Sequence, residues 1–380
     1  MPTRLAVIGK GTAGAMAYNH FANYTNYEID CYFDSTKKEQ SVGEGTTISL
    51  PRTLHHTIGF EYYMLPEVDG HYKNGIEYID WTNKNFMHTF PAPDISMHFN
   101  AVKLQEYLKD KNKNRVTFKD VNVENIYDIN ADYIIDCSGT PSNYAEHSVA
   151  KYIPVNAVYV RQCMWDFPRY DYTLCIARPY GWIFGIPLRN RISFGYLYNN
   201  KINKLKDVEE DLLNVIESYK LKDNLTEVQG KAQFKNYYRK ENFYERITYN
   251  GNASFFLEPM EATSLTTVDN INRKVFDILE NNADYNTQNI WYKEKFKELQ
   301  DIIVMHYLGA TKYDTEFWDY AKELAQDCLS NTSYRFKDIL KNVHDNNYEL
   351  DDDYGVWGMH SFKQNIYSMN ILKALEDLNV

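Results

Sequence analysis

The chain has 380 residues, 44% hydrophobic and 24% charged, an ordinary globular composition with enough apolar residues for a sizeable core. A net charge of −11 argues against a nucleic-acid surface, and no apolar run approaches the roughly 20 residues that span a bilayer. Five cysteines without a C-x-x-C pair or metal-ligand spacing point to a reducing compartment, so a soluble cytoplasmic protein with no metal, membrane or nucleic-acid partner is expected. Aromatic residues make up 15% of the chain, with 33 tyrosines. Asn and Lys are also plentiful, as in AT-rich genomes such as those of many viruses, where the location would be the host cytoplasm. Most of the tyrosine excess is therefore ascribed to composition bias, and a few positions to an aromatic-lined pocket.

The chain opens with the apolar run "RLAVIG", then "KGTAGAMAYNHFANY" with helical character, then "YEIDCYFD" as a second strand. Between the first strand and the helix lies Gly9-Lys10-Gly11-Thr12-Ala13-Gly14, a G-x-G-x-x-G pattern. Its first glycine permits a tight turn, its second lets a pyrophosphate approach the backbone, and its third permits close helix–sheet packing. The helix start, including Thr12 and Ala13, then offers free amides to phosphates. Asp34 closes the second strand, where an acid accepts from ribose hydroxyls. These parts in register predict dinucleotide binding.

In "YKNGIEYIDW" (72–81), Lys73 heads an apolar segment and reads either as a solvated strand end or as a buried amine with a chemical task. "ADYIIDCSG" (131–139) reads as a buried strand, and "GWIFGIPLRNRISFGYLYN" (181–199) as a hairpin. "KLKDVEEDLLNVIESYKL" is an amphipathic helix with Val208, Leu212, Val215 and Ile216 on one face. "YNGNASFFLEPME" (249–261) resembles the second flavin-contacting segment of many FAD proteins, with Asn252 replacing the usual Asp after Gly251. With one fingerprint and no second one for a nicotinamide cofactor, FAD is the favoured dinucleotide. From Ser264 onward the pattern is mostly helical. The expected fold is α/β, a Rossmann-like FAD-binding core of glutathione-reductase type over 1–265 with an interleaved substrate-side sheet. A helical region over 266–380 would complete the substrate pocket.

Several segments together resemble the flavin-dependent halogenases of the tryptophan type. Trp182-Ile183-Phe184-Gly185-Ile186-Pro187 is similar to W-x-W-x-I-P, with Phe184 for the second Trp. "SVGEGTT" (41–47) resembles the family's flavin strap, through Val42, Gly43 and Glu44. "DCSG" (136–139), "LEPMEATS" (257–264) and "HYLGATKYDTEFW" (306–318) follow in family order, and "YKNGIEYIDW" resembles the segment that carries the catalytic lysine.

The resemblance implies that reduced FAD, oxygen and a halide (chloride, bromide or iodide) generate hypohalous acid, which Lys73 presents to a separate small aromatic substrate. Glu261 would steer the oxidant and take the proton lost from the ring, with helix capping as its alternative and Glu258 as a weaker candidate. Thr263 and Ser264 fall where the family holds halide, and Ser264 replaces a glycine that tolerates positive φ. Trp182, Phe184, Ile186 and Pro187 would wall the substrate from the flavin, or simply pack the hairpin core. His88 and Phe90 resemble the substrate-stacking pair. The chain is shorter than typical tryptophan halogenases and lacks a clear clamp for an amino acid's charged groups. "DYGVWGMHSF" (353–362), with Tyr354, Trp357 and His360, stands as a remnant of that clamp. A separate flavin reductase is the implied partner. An FAD-dependent aromatic monooxygenase and a non-catalytic FAD-binding regulator remain the rival readings, and substrate, halide and oligomeric state stay open.

Overall fold

In the computed structural model, which describes residues 3–37, 43–345, 347 and 353–376, the chain divides into two units built from alternating stretches. The first comprises Met1–Gly70, Phe99–Val149 and Tyr237–Glu294, and the second His71–His98, Ala150–Asn236 and Lys295–Val380.

The first unit is organised by the strand Arg4–Ile8, in which Leu5, Ala6 and Val7 are no more than 1% exposed. It pairs in parallel with Glu28–Phe33 on one side and Tyr133–Asp136 on the other. The sheet has six strands in the order Phe243–Tyr244, Ile247–Tyr249, Tyr133–Asp136, Arg4–Ile8, Glu28–Phe33, Val116–Asp120. Parallel strands need crossovers and a cover on both faces, which explains their continuous apolar runs. The helix Thr12–Tyr24 supplies the first crossover and buries ten of its thirteen residues, so its sequence lacks a polar face. Asn19 sits on this helix and is tied to Thr57 (2.8 Å) and Asn112 (2.9 Å), so that the polar atom it buries is satisfied.

The second unit carries a seven-stranded sheet, ordered Leu225–Gln233, Ala157–Met164, Arg191–Tyr198, Gly181–Pro187, Thr173–Arg178, Gly75–Ile79, Phe86–Thr89. All neighbours are antiparallel except Thr173–Arg178 with Gly75–Ile79. The hairpin read from residues 181–199 forms, closed by the Leu188 amide on the Arg191 carbonyl (2.7 Å). The helix Leu205–Ser218 covers one face of the sheet with the four apolar residues that its periodicity singled out. Alternation along Gly181–Pro187 puts Trp182, Phe184 and Ile186 on the other face. Gly195 lies opposite Phe184, and a Cβ there would meet the Phe184 ring at 2.1 Å, so this strand position must be glycine.

Beyond Ser264 the chain is helical in Ser264–Asn281, Tyr285–Gly309, Glu316–Ser330, Tyr334–His344, Met359–Ser368 and Ile371–Glu376, with a bridged turn at Tyr354–Trp357. Among the described residues no helix is long and apolar enough to cross a membrane.

His20, on the helix Thr12–Tyr24, is 5% exposed and neither ring nitrogen has a hydrogen-bond partner. Burial, opposed by Asp269 and assisted by Arg273, lowers its pKa from 6.5 to about 4. The unfolded chain therefore binds a proton that the folded chain refuses, and stability falls as pH drops from 6.5 towards 4. His20→Phe is expected to remove this loss, stabilising the protein by about 2 kcal/mol more at pH 5 than at pH 7.5. Urea unfolding of both proteins at the two pH values measures the difference.

Candidate active site

Each glycine of the fingerprint has a separate physical reason. Gly9 adopts φ +97°, and a Cβ there would stand 2.3 Å from the Cys137 carbonyl oxygen. Gly14 passes so close to Gly9 that a Cβ would lie 1.8 Å from the Gly9 oxygen, which is the tight helix–strand approach expected of it. At Gly11 nothing lies within 4 Å, so this side of the loop is open to a ligand. The helix it starts has no side-chain cap and no acid in its first turn, leaving amides and a positive dipole end for phosphate oxygens. Thr12 is held by the Gln105 side chain (3.0 Å), and Ala13 packs beside Gly251, where a Cβ would come within 2.5 Å of the Ala13 methyl. Asp34 follows the second strand and accepts from the amide (3.0 Å) and hydroxyl (2.6 Å) of Thr36, which hold its carboxyl below the usual range. Val42 lies outside the described residues, while Gly43 and Glu44 fall in a short strand, Gly43–Gly45.

The second cofactor segment turns on a residue that sequence reasoning passed over. Asn250 is fully buried, accepts from the Gly251 amide (2.8 Å), and donates to the Val268 carbonyl (3.0 Å) and Asn272 (2.9 Å). Its own amide reaches the Asp136 carbonyl (2.8 Å), which anchors Gly251 and Asn252 to the sheet end. The Asn-Gly pair in "YNGNA" was the available signal, since Gly251 adopts φ +57°. The Asn252 carbonyl accepts from the Tyr237 hydroxyl (2.6 Å). The open loop, the uncapped helix and the abutting second segment fit a dinucleotide such as FAD.

Glu258 is fully buried, and Glu261 is 6% exposed. Glu261 and Ala262 both take left-handed backbone, with φ 62° and 52°. The helix Ser264–Asn281 follows directly, and its N-cap residue Thr263 makes no side-chain cap. Thr263 is right-handed at φ −69° and Ser264 begins the helix, so Ser264 does not occupy the left-handed region that favours glycine; Glu261 and Ala262 do. The open amides at this helix start suit an anion. Beside them the Thr266 hydroxyl meets those of Thr47 (2.5 Å) and Ser49 (2.7 Å), a grouping unreadable from residues more than two hundred positions apart.

In the second unit Lys73 is 1% exposed, so it is a buried amine and not a solvated strand end. Its strand, His71–Lys73, pairs antiparallel with Ser96–Asn100, placing Lys73 opposite Ser96 and His71 opposite His98. The Lys73 amine lies 5.5 Å from the centre of the Phe90 ring, a cation–π distance. His98, also missed from sequence, is fully buried, and its Nε2 is 2.8 Å from the Thr173 hydroxyl.

His88 and Phe90 meet at 6.3 Å and 69°, an edge contact and not a parallel pair. His88 is 1% exposed, with Nε2 2.9 Å from the Ser361 hydroxyl and its ring edge-on to Trp357 at 5.7 Å. Trp357 also packs on His306 and Phe362, and is held there by its backbone bridge to Tyr354. The Tyr354 hydroxyl in turn donates to Asp301 (2.7 Å). His360 is exposed and reaches the Thr89 carbonyl (3.1 Å). Trp182 is buried and donates its indole N–H to the Tyr307 hydroxyl (2.9 Å), whereas Phe184 and Ile186 are half-buried and Pro187 is buried. No cluster of metal-ligating residues occurs among the described residues.

The parallel sheet with its glycine loop and second abutting segment defines a dinucleotide-binding α/β protein. The profile of one family, described as tryptophan halogenase, matches residues 4–127 and 116–374, and the chain belongs to that family. Among individual relatives, the tryptophan 6-halogenase SttH of Streptomyces toxytricini is 25% identical over 174 residues, a match spanning 44% of this chain and 32% of that protein. The crystal structure of a tryptophan halogenase from Shewanella frigidimarina superposes with a TM-score of 0.80 at 17% identity, covering 100% of this chain and 93% of that one. Xcc4156, a flavin-dependent halogenase from Xanthomonas campestris, gives 0.81 at 14% identity, with coverage of 100% and 94%. At these identities the structures establish a shared fold.

The left-handed turn yields a direct test. A non-glycine residue in that region costs about 1–2 kcal/mol, and glycine removes this cost at the expense of some unfolded-state entropy. Ala262→Gly is therefore expected to stabilise the protein by up to about 1 kcal/mol. A lowered urea midpoint in that variant would show that the turn is unstrained.

Proposed function

We propose that the protein is a flavin-dependent halogenase that modifies small aromatic compounds, with Lys73 as the halogen-transferring amine. The observation that carries this reading is a lysine at 1% exposure facing an aromatic ring, in a chain of the tryptophan halogenase family. A buried cation is costly, and a strand-end lysine with no task is normally left in water. Reduced FAD, delivered by a separate reductase, supplies with oxygen and halide the oxidising equivalent that becomes hypohalous acid. Gly9, Gly11 and Gly14, with the first turn from Thr12, hold the pyrophosphate, and Asp34 receives the ribose. The amides of Thr263 and Ser264 hold the halide.

Lys73 then acts on hypohalous acid, either by hydrogen bonding or by forming a haloamine with loss of water. Burial excludes competing water and keeps the oxidant from diffusing away. The electrophilic halogen passes to a ring carbon, and Glu261 takes the displaced proton. Trp182 is locked by its hydrogen bond to Tyr307 with the Phe184 ring beside it, and the family resemblance assigns these bulky side chains the task of keeping substrate away from the flavin. His88, Phe90 and Trp357 line the substrate side with ring edges and faces.

Lys73→Ala is expected to abolish halogenation while added reduced flavin is still reoxidised at the wild-type rate, since the lysine acts after the flavin step. Glu261→Gln should slow product formation by about 100-fold without eliminating it. Parallel assays of product and of flavin absorbance check both, and near-normal halogenation by Lys73→Ala would refute the assignment.

No segment clearly matches the family's amino-acid clamp, and of Tyr354, Trp357 and His360, taken as its remnant, the first two are packed inward. Aromatic contacts give about 0.5–1.5 kcal/mol each, against roughly 1.5–3 kcal/mol for hydrogen bonds to charged groups. A permissive enzyme is expected, accepting phenols, anilines and indoles at comparable kcat/KM, with free tryptophan no better than the rest. A substrate panel run with each halide measures this. Regioselective turnover of tryptophan alone would contradict it.

A further inference from the structure

The ladder between His71–Lys73 and Ser96–Asn100 places Lys73, Ser96, His71 and His98 on one face, since cross-strand partners and every second residue share a side. His98 lies diagonally across from Lys73 and directly across from His71. It is fully buried, and Lys73 is 1% exposed. The charged or titratable groups acting on His98 are Lys73 and His71, with the Thr173 hydroxyl contributed by a strand of the seven-stranded sheet and the Tyr72 backbone by its own ladder. His98 Nδ1 makes no hydrogen bond of good geometry, although the Tyr72 backbone is close enough to act on its charge.

We propose that His98 is the positioning base that receives the Lys73 proton and so converts the buried ammonium into the reactive amine. This inference rests on the reading of Lys73 as the halogen-transferring group. The step is a proton exchange. The N–H bond of the Lys73 ammonium breaks and leaves its electron pair on nitrogen, while the proton bonds to an imidazole nitrogen of His98. One positive charge is present before and after, so the buried site never holds two. The two groups form a coupled pair. While Lys73 is charged, burial first and the ammonium second keep His98 neutral, well below the ordinary imidazole range. Once the amine has lost its proton the repulsion from Lys73 is gone, but burial still disfavours the charged imidazole. The protonated His98 is therefore a transient that the reaction of the freed amine draws off. His71 is half-buried on the same face, and Asp171, an exposed acid, acts on its charge.

The test reads the pair directly in protein without substrate. Histidine ring 15N signals are followed against pH in the wild type and in Lys73→Met, which keeps the length of the side chain without its charge. The expected result is a His98 midpoint that rises by about one unit or more when the ammonium is removed. An unchanged midpoint overturns the proposal. In the second measurement, His98→Asn should lower halogenation about 100-fold near pH 7 and recover it as pH rises, because hydroxide then replaces the missing base. A His98→Asn rate that falls equally at every pH marks a merely structural histidine and overturns the proposal. The NMR shift does not depend on the reaction. A wild type that shifts but never halogenates sustains the coupled pair and removes the proposed function. A wild type that halogenates without the shift does the reverse.

Discussion

The burial of one amine is the constraint to which the rest of the candidate site answers. An ammonium at 1% exposure cannot be hydrated, so its surroundings must carry its charge or take its proton. Around Lys73 the structure sets the face of Phe90, a second strand with Ser96 opposite, and a fully buried histidine diagonally across.

The tyrosine excess has a structural outlet. Buried phenols pair with specific acceptors: Tyr78 with His306 (2.9 Å), Tyr196 with Asp211 (3.0 Å), Tyr237 with the Asn252 carbonyl (2.6 Å), Tyr354 with Asp301 (2.7 Å). Each supplies a large apolar surface together with one hydrogen bond that fixes its position. Burial raises the pKa of Tyr196, Tyr237 and Tyr354, so they remain neutral donors. Composition bias explains how such residues became available. Their hydrogen bonds explain how a core can be built from them without leaving polar atoms orphaned.

Left-handed backbone occurs in both the candidate cofactor and halide segments as well as at turns elsewhere in the chain. Gly9, Gly139 and Gly251 use it without cost around the dinucleotide loop, whereas Glu261 and Ala262 use it against their own preference. Strain of this kind persists only where neighbouring structure over-determines it. Here Asn250 upstream and the helix from Ser264 downstream clamp the segment at both ends.

Local patterns were legible in the amino-acid sequence by itself. The strand–glycine loop–helix opening, the hairpin at 181–199, the face of the helix Leu205–Ser218 and the helical stretch after Ser264 all follow from periodicity and turn residues within short windows. Motif order made the candidate lysine and glutamate visible by resemblance. Contacts between distant positions were not legible. Whether Lys73 faces solvent or core depends on strands contributed by residues 96–98, and the environment of His98 depends on Thr173. The left-handed turn at Glu261 and Ala262 was not legible, because a sequence motif records residue types and not dihedral angles. Side-chain periodicity tells which residues share a face, but only the folded chain decides what that face meets, because burial is a property of the partners that long-range packing brings to it.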